Sequence, residues 1–203
     1  MLTRTRDQRG VTLIELLIAL AIVAILLATG TPAFAKWMQN MQIRSAAETL
    51  KSSLITAQTE ALRRNTPVRF QLTTSVDNSC TLSTSGNNYV VNVGDASSTY
   101  DPTGACGAAL SDTQTPYIIK TKASTEGTRN VALNSTQSTF VFNSYGRVIN
   151  MTGASVSIDL TNPIGGDCAK DGGPMTCMRL VVYKSGQIRM CNPKQPDGSP
   201  QGC

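Results

Sequence analysis

The stretch Arg9-Gly10-Val11-Thr12-Leu13-Ile14-Glu15-Leu16-Leu17 decides how the rest of the chain is read. Before it stand Arg4 and Arg6 against Asp7, and from Val11 to Ala28 the sequence is apolar with only Thr12 and Glu15 interrupting. The 18 residues of that segment, rising about 1.5 Å each, reach roughly 27 Å, close to a hydrocarbon thickness of about 30 Å. The segment is expected to span a lipid bilayer, with the arginines on the cytoplasmic side and everything after residue 28 exported. Glu15 is the anomaly, because a carboxylate inside an apolar span costs on the order of 2.5–3.5 kcal/mol even on insertion-based scales.

Two processing sites compete. A basic start, an apolar stretch and Ala33-Phe34-Ala35 ahead of Lys36 form the pattern of a cleaved secretory signal, which would release a secreted β-rich binding domain. A disposable signal has no use for Glu15. Cleavage after Gly10 instead leaves Val11 with a free ammonium and places Glu15 in the first helical turn. There the positive end of the helix dipole and an ammonium, its own or a neighbour's, stabilise the charge.

Composition narrows the chemistry. A length of 203 residues suits one domain with an appendage. The absence of histidine removes Ser-His-Asp and Cys-His catalysis and His-ligated metals, so an enzyme is not expected, nor a cofactor or metal. The glycine pairs Gly165-Gly166 and Gly172-Gly173 lack a following Lys-Ser/Thr and read as turns, not as a phosphate loop. Charged residues make up 15% of the chain with a net charge of +5, so polarity comes from Ser, Thr, Asn and Gly, as suits an extracytoplasmic protein. All six cysteines, Cys80, Cys106, Cys168, Cys177, Cys191 and Cys203, lie in the exported part without a C-x-x-C pair, which implies structural disulfides rather than zinc or redox chemistry. Spacing leaves their connectivity open; Cys80–Cys106, Cys168–Cys177 and Cys191–Cys203 are the pairs with the shortest loops.

Past residue 28 the helical pattern goes on. Ile43, Ala47, Leu50, Leu54, Ala57 and Ala61 recur at spacings of four and three, marking one buried face. Asn65-Thr66-Pro67 closes the segment. The helix is thus expected from Val11 to Arg64, roughly 80 Å long, with a kink or local melting at Gly30-Thr31-Pro32. Seven short β-like runs follow, Val68–Thr73, Tyr89–Val93, Tyr117–Thr121, Thr139–Asn143, Val156–Leu160, Met178–Lys184 and Gln187–Cys191, with a long loop over Asp95–Thr115. They predict an antiparallel sheet packed on the apolar face of the helix.

The run Arg9–Leu17 resembles the type IV prepilin signature, a basic leader ending in Gly before a [FM]-T-L-I-E-L segment, with Val11 in place of the commoner Phe or Met. The resemblance implies a leader of residues 1–10, cleavage between Gly10 and Val11 by prepilin peptidase, and methylation of the new N-terminus. Ala57–Asn65 with Pro67-Val68 resembles the A-R-x-E-A-[IV]-x-R-[NG]-x-x-V segment of GspH/FimT-type minor pilins and pseudopilins, with Gln58 where that family has Arg. Phe140–Arg147 is similar to their F-x-x-x-G strand and turn, and Arg179–Cys191 to their closing hairpin. This family implies an α+β pilin fold: a filament-core helix over 11–35 and a periplasmic head over 36–203, with the amphipathic half of the helix against antiparallel sheet.

Membership of such a family implies assembly rather than catalysis. The expected function is that of a minor pilin of a type IV pilus that starts or caps the filament, or of a GspH-type pseudopilin in type II secretion. Implied partners are prepilin peptidase, other minor and major pilins or pseudopilins, the inner-membrane assembly platform and the lipid bilayer. The expected location is the bacterial inner membrane and then the filament, with Glu15 pairing to a neighbour's N-terminal ammonium. Some FimT-type relatives bind DNA through a basic G-R-x-R motif. Here Gly186-Gln187-Ile188-Arg189 supplies one of its two arginines, so Arg179, Lys184, Arg189 and Lys194 are candidate phosphate contacts for double-stranded DNA, and a solvated strand face is the competing reading.

Overall fold

The long helix α1 covers Leu13–Arg64 in a computed structural model that describes residues 10–126, 129–196 and 198–203, the side chains of Thr29, Pro32 and Ser98 excepted. The leader residues Arg4, Arg6, Asp7 and Arg9 lie outside the described residues, as does Asp197. The helix starts two residues later than the apolar pattern suggests, because Thr12 serves as its cap. Helical hydrogen bonding continues through Gly30-Thr31-Pro32 without melting, and the axis bends between Ala28 and Ala33, as a proline lacking an N–H requires. No single helix among the described residues is long and apolar enough to cross a membrane, whereas the bent pair Leu13–Ala28 and Ala33–Arg64 is, by length and composition. At the other end, Thr66 N–H donates to the Ala61 carbonyl and Asn65 N–H to that of Leu62, with Asn65 at φ 50°. This pairing is a Schellman stop, and Pro67 prevents any restart.

Contacts divide the chain into two units, one ending at Trp37 and the other spanning Met38–Cys203. In the first, the large apolar side chains from Val11 to Leu27 are 49% to 79% exposed.

In the second, the face marked by Ile43, Ala47, Leu50, Leu54, Ala57 and Ala61 is buried. The described strands number eight: β1 Val68–Thr73, β2 Asn88–Val93, β3 Ile118–Lys122, β4 Ala132–Ser135, β5 Thr139–Phe142, β6 Ser155–Thr161, β7 Met178–Tyr183 and β8 Ile188–Cys191. They form two antiparallel four-stranded sheets, β3-β2-β1-β5 and β4-β6-β7-β8. The expectation of seven strands is therefore corrected by one, β4, and the single sheet by a split into two. The helix stripe shares one core with Phe70, Phe140 and Phe142 of the first sheet and with Ile158, Leu160, Leu180 and Val182 of the second. One amphipathic helix thereby covers both inner faces.

The outer face of the first sheet is covered as well. The segment between β2 and β3, tied by the Cys80–Cys106 disulfide, lies over it and closes a small second core of Cys80, Val90, Cys106 and Ile118. Under this segment Arg69 is buried, with Nε donating to Asn92 Oδ1 at 3.3 Å and Nη1 to the Ser97 carbonyl at 2.9 Å. Burial draws the guanidinium pKa down, and the carboxylates of Asp101 and Asp95 oppose it. Asn92 Nδ2 in turn donates to the carbonyls of Tyr100 (2.6 Å) and Pro116 (3.1 Å). The disulfides Cys168–Cys177 and Cys191–Cys203 complete the set. Asn40 of the helix accepts from Thr176 N–H at 2.8 Å and so fixes the first of these two loops.

Candidate assembly site

Thr12-Leu13-Ile14-Glu15 is a capping box. Thr12 Oγ1 accepts from Glu15 N–H at 3.3 Å, Glu15 Oε2 accepts from Thr12 N–H at 3.5 Å, and Leu16 N–H closes the first turn on the Thr12 carbonyl at 3.2 Å. These reciprocal bonds satisfy donors that a helix start otherwise leaves open. Gly10 and Val11 precede the cap in non-helical, exposed backbone, and nothing lies within 4 Å of the place a Gly10 side chain would take. A protease needs extended, accessible backbone, and the cap ends the helix just short of the Gly10–Val11 bond. The local role of Glu15 was readable from the T-x-x-E spacing, which the cost of burying its charge overshadows.

Of the four basic candidates, Arg179 and Arg189 share one face of the β7–β8 pair, where Val181 opposes Arg189 and Cys191 opposes Arg179. Arg179 lies opposite Asp159 in the β6–β7 register and grips it twice, at 2.6 and 3.1 Å. Arg189 is half-buried and donates to the Gly202 carbonyl at 2.9 Å. Lys184 and Lys194 are exposed, but one precedes β8 at the hairpin turn and the other follows it. A cross-strand ion pair thus neutralises one of the candidate phosphate contacts. Alternation along Ser155–Thr161 puts Asp159 on the same outer face as Arg179, a signal present in the sequence.

A different residue gathers the motifs. Gln58 Nε2, on α1, donates to the Gly146 carbonyl at 2.8 Å and to the Gly186 carbonyl at 2.9 Å. The first belongs to the turn after β5 in one sheet, the second to the β7–β8 turn in the other. Gln58, the glycine of Phe140–Arg147 and the turn of the closing hairpin, which the sequence presents as three separate motifs, are one clasp. Removing the donor strands two carbonyls at a part-buried site, so Gln58→Ala should cost about 1–3 kcal/mol. Gln58→Glu, which keeps the shape and loses the donor, should lose at least as much. Urea denaturation of the full chain in detergent checks this; unchanged midpoints in both variants would remove the clasp as a source of stability.

Residues 46–193 match the family described as Type II transport protein GspH, and residues 5–31 match the prokaryotic N-terminal methylation motif. Among solved structures, the chain is similar to the type IV minor pilin FimU of Pseudomonas aeruginosa in two crystal forms. One is 16% identical, with 79% of this chain and 98% of that chain covered and a TM-score of 0.46. The other gives 17%, 82%, 98% and 0.48. The minor pseudopilin EpsH of the type 2 secretion system of Vibrio cholerae is 12% identical, with 76% and 99% covered and a TM-score of 0.46. No curated protein matches the chain. With the GspH match running from the buried face of α1 through both sheets to the end of β8, the chain belongs to the GspH/FimT-type family of minor pilins and pseudopilins.

Proposed function

We propose that the protein is a minor pilin of a type IV pilus, a structural subunit that helps to start or cap the filament. The observation that carries this reading is the helix from Leu13 to Ala28, whose large apolar side chains stand about half exposed or more. Water is a poor cover for such a surface; a bilayer covers it first, and the equivalent helices of other subunits afterwards. In this reading prepilin peptidase cuts between Gly10 and Val11 and methylates Val11. The precursor sits in the inner membrane with its head in the periplasm, an oxidising compartment that suits three disulfides. Extraction into the filament brings it to the assembly platform and to other pilins.

The description of its family as a type II transport protein favours a second reading, in which the same subunit serves the pseudopilus of a type II secretion system. Deleting the gene separates the two: lost piliation marks the pilus, and lost secretion of exported enzymes with normal pili marks the pseudopilus. Both readings require a mature chain that begins at Val11, which intact mass and N-terminal sequencing of the protein from cells will report. A mature chain beginning at Lys36 overturns both and leaves a secreted binding domain. Double-stranded DNA is not proposed as a ligand, since Asp159 already pairs with Arg179 and the Gly202 carbonyl engages Arg189.

A further inference from the structure

The last turn of α1 meets the loop between β2 and β3 in a hollow that filament assembly does not require. Arg64, Thr66, Val93, Tyr100, Asp112 and Tyr117 line it, and its volume is about 280 Å³. At about 30 Å³ per molecule of liquid water, that is room for one ring of a small ligand. Buried Asn92 sets the frame: its Nδ2 donates to the Tyr100 carbonyl at 2.6 Å and to the Pro116 carbonyl at 3.1 Å, which ties together the two segments that carry the tyrosines. Val93 N–H donates to the Tyr117 carbonyl at 3.1 Å, and Ser111 N–H, next to Asp112, to the Ile118 carbonyl at 2.9 Å. The rings of Tyr100 and Tyr117 stand 5.0 Å apart with their planes at 83°. Tyr117 holds its place at φ 55°, a left-handed conformation that a bulky residue adopts only at a cost, and such outliers gather at ligand sites.

The polar groups around the two rings are free to meet a ligand. Among the described residues, neither tyrosine hydroxyl nor the Asp112 carboxylate makes a hydrogen bond, and the Arg64 guanidinium makes one, from Nε to Glu60 Oε2 at 2.7 Å. Glu60 is shared with Arg63, and Asp112 acts on Arg63 as well, so two cations and two carboxylates balance here. An anion would face Asp112, a cation would face Arg63 and Arg64, and like charges set together cost affinity. Perpendicular rings form a corner, not the parallel slot that a flat nucleobase fills. A pyranose ring suits such a corner. Its C–H face lies on an aromatic ring, and its hydroxyls, each a donor and an acceptor, meet a guanidinium that only donates and a carboxylate that only accepts. The frame held by Asn92 is already ordered, which lowers the cost of binding. We propose that this pocket binds a neutral pyranose unit of a saccharide.

Binding here depends on neither filament reading, and the purified full-length chain suffices to test it. The protein is held in a polyoxyethylene detergent, whose headgroup carries no sugar, and saturation-transfer NMR is recorded with the methyl glycosides of glucose, galactose, mannose and N-acetylglucosamine. At least one should receive saturation at its ring protons. Tyr117→Gly should weaken that binding tenfold or more while the thermal midpoint holds or rises, because glycine adopts φ 55° without strain. Asp112→Ala, at an exposed position, should weaken it several-fold. Tyr145→Ala, at a tyrosine that does not line the pocket, should leave it unchanged. No transfer to any of the four glycosides overturns the proposal. So does binding that Asp112→Ala leaves unchanged, whatever the stability of Tyr117→Gly. Tighter binding of N-acetylneuraminic acid, of adenosine or of free tyrosine in the same pocket overturns the assignment to a neutral sugar.

Discussion

Gly186→Ala should destabilise the head by about 3 kcal/mol or more, at the severe end of single substitutions. Gly186 has φ +95°, and a Cβ there would lie 2.0 Å from the Gly146 carbonyl oxygen and 2.6 Å from Gln58 Nε2. The conformational cost alone is roughly 1 kcal/mol. The clash is with backbone, which no rotamer change relieves, so the two turns must separate and the bonds from Gln58 at 2.8 and 2.9 Å must stretch. Gly172→Ala is the matched control: φ is +85° and nothing stands within 4 Å of the added carbon, so only the conformational cost of roughly 1 kcal/mol applies. At about 2–4 °C per kcal/mol for a domain of this size, the midpoint should fall by about 6–12 °C for Gly186→Ala and by about 2–4 °C for Gly172→Ala. Thermal melts of the full-length variants in detergent make the comparison. Equal shifts would show that the two turns give way freely and that the clasp is not rigid.

The clasp also marks the limit of what the sequence discloses. The face of α1 and the strands with clean alternation, such as Ser155–Thr161, are legible because their periodicity is local. Gln58 looks like an ordinary polar residue at a helix position, since its partners lie 88 and 128 residues away. Arg69 and Gln71 alternate with Val68, Phe70 and Leu72 and so read as solvent-facing, yet all of β1 is buried. The cover comes from the loop after β2, which has no periodicity to announce it. Strand β4, four residues of Ala-Leu-Asn-Ser, has little β propensity of its own. It exists because β6 pairs with it and because Asn87 closes its other edge, accepting from Leu133 N–H at 2.9 Å and donating to the Val131 carbonyl. The division into two sheets follows from these non-local bonds and could not be read from strand spacing. At the candidate site, the processing motif was legible residue by residue, whereas the pairing of Arg179 with Asp159 depends on a strand register between residues 20 apart.

Glu15 can be tested in a way that separates its two roles. As a capping residue it accepts from Thr12 N–H, and Gln does this equally well in a capping box. As a charge inside an apolar segment it would pair, in the proposed filament, with a neighbour's N-terminal ammonium. Glu15→Gln therefore keeps the cap and removes the charge, Glu15→Leu removes both, and Thr12→Ala loses the threonine's half of the cap and keeps the charge. Losing the charge relieves an insertion cost on the order of 2.5–3.5 kcal/mol, so Glu15→Gln and Glu15→Leu should both accumulate in the membrane and be trimmed at Val11. Both should nevertheless stay out of the filament, because the ammonium they were to meet is left buried without a partner, at about 3–5 kcal/mol, or more than a hundredfold in occupancy at about 1.4 kcal/mol per tenfold. Thr12→Ala forfeits about 1 kcal/mol of capping and should still be incorporated, at a several-fold lower level. Quantitative immunoblots of sheared filaments against membranes, with each variant as the sole copy, give the ratios. If Glu15→Gln enters the filament like wild type, Glu15 acts through the helix cap alone and the charge pairing has no part in assembly.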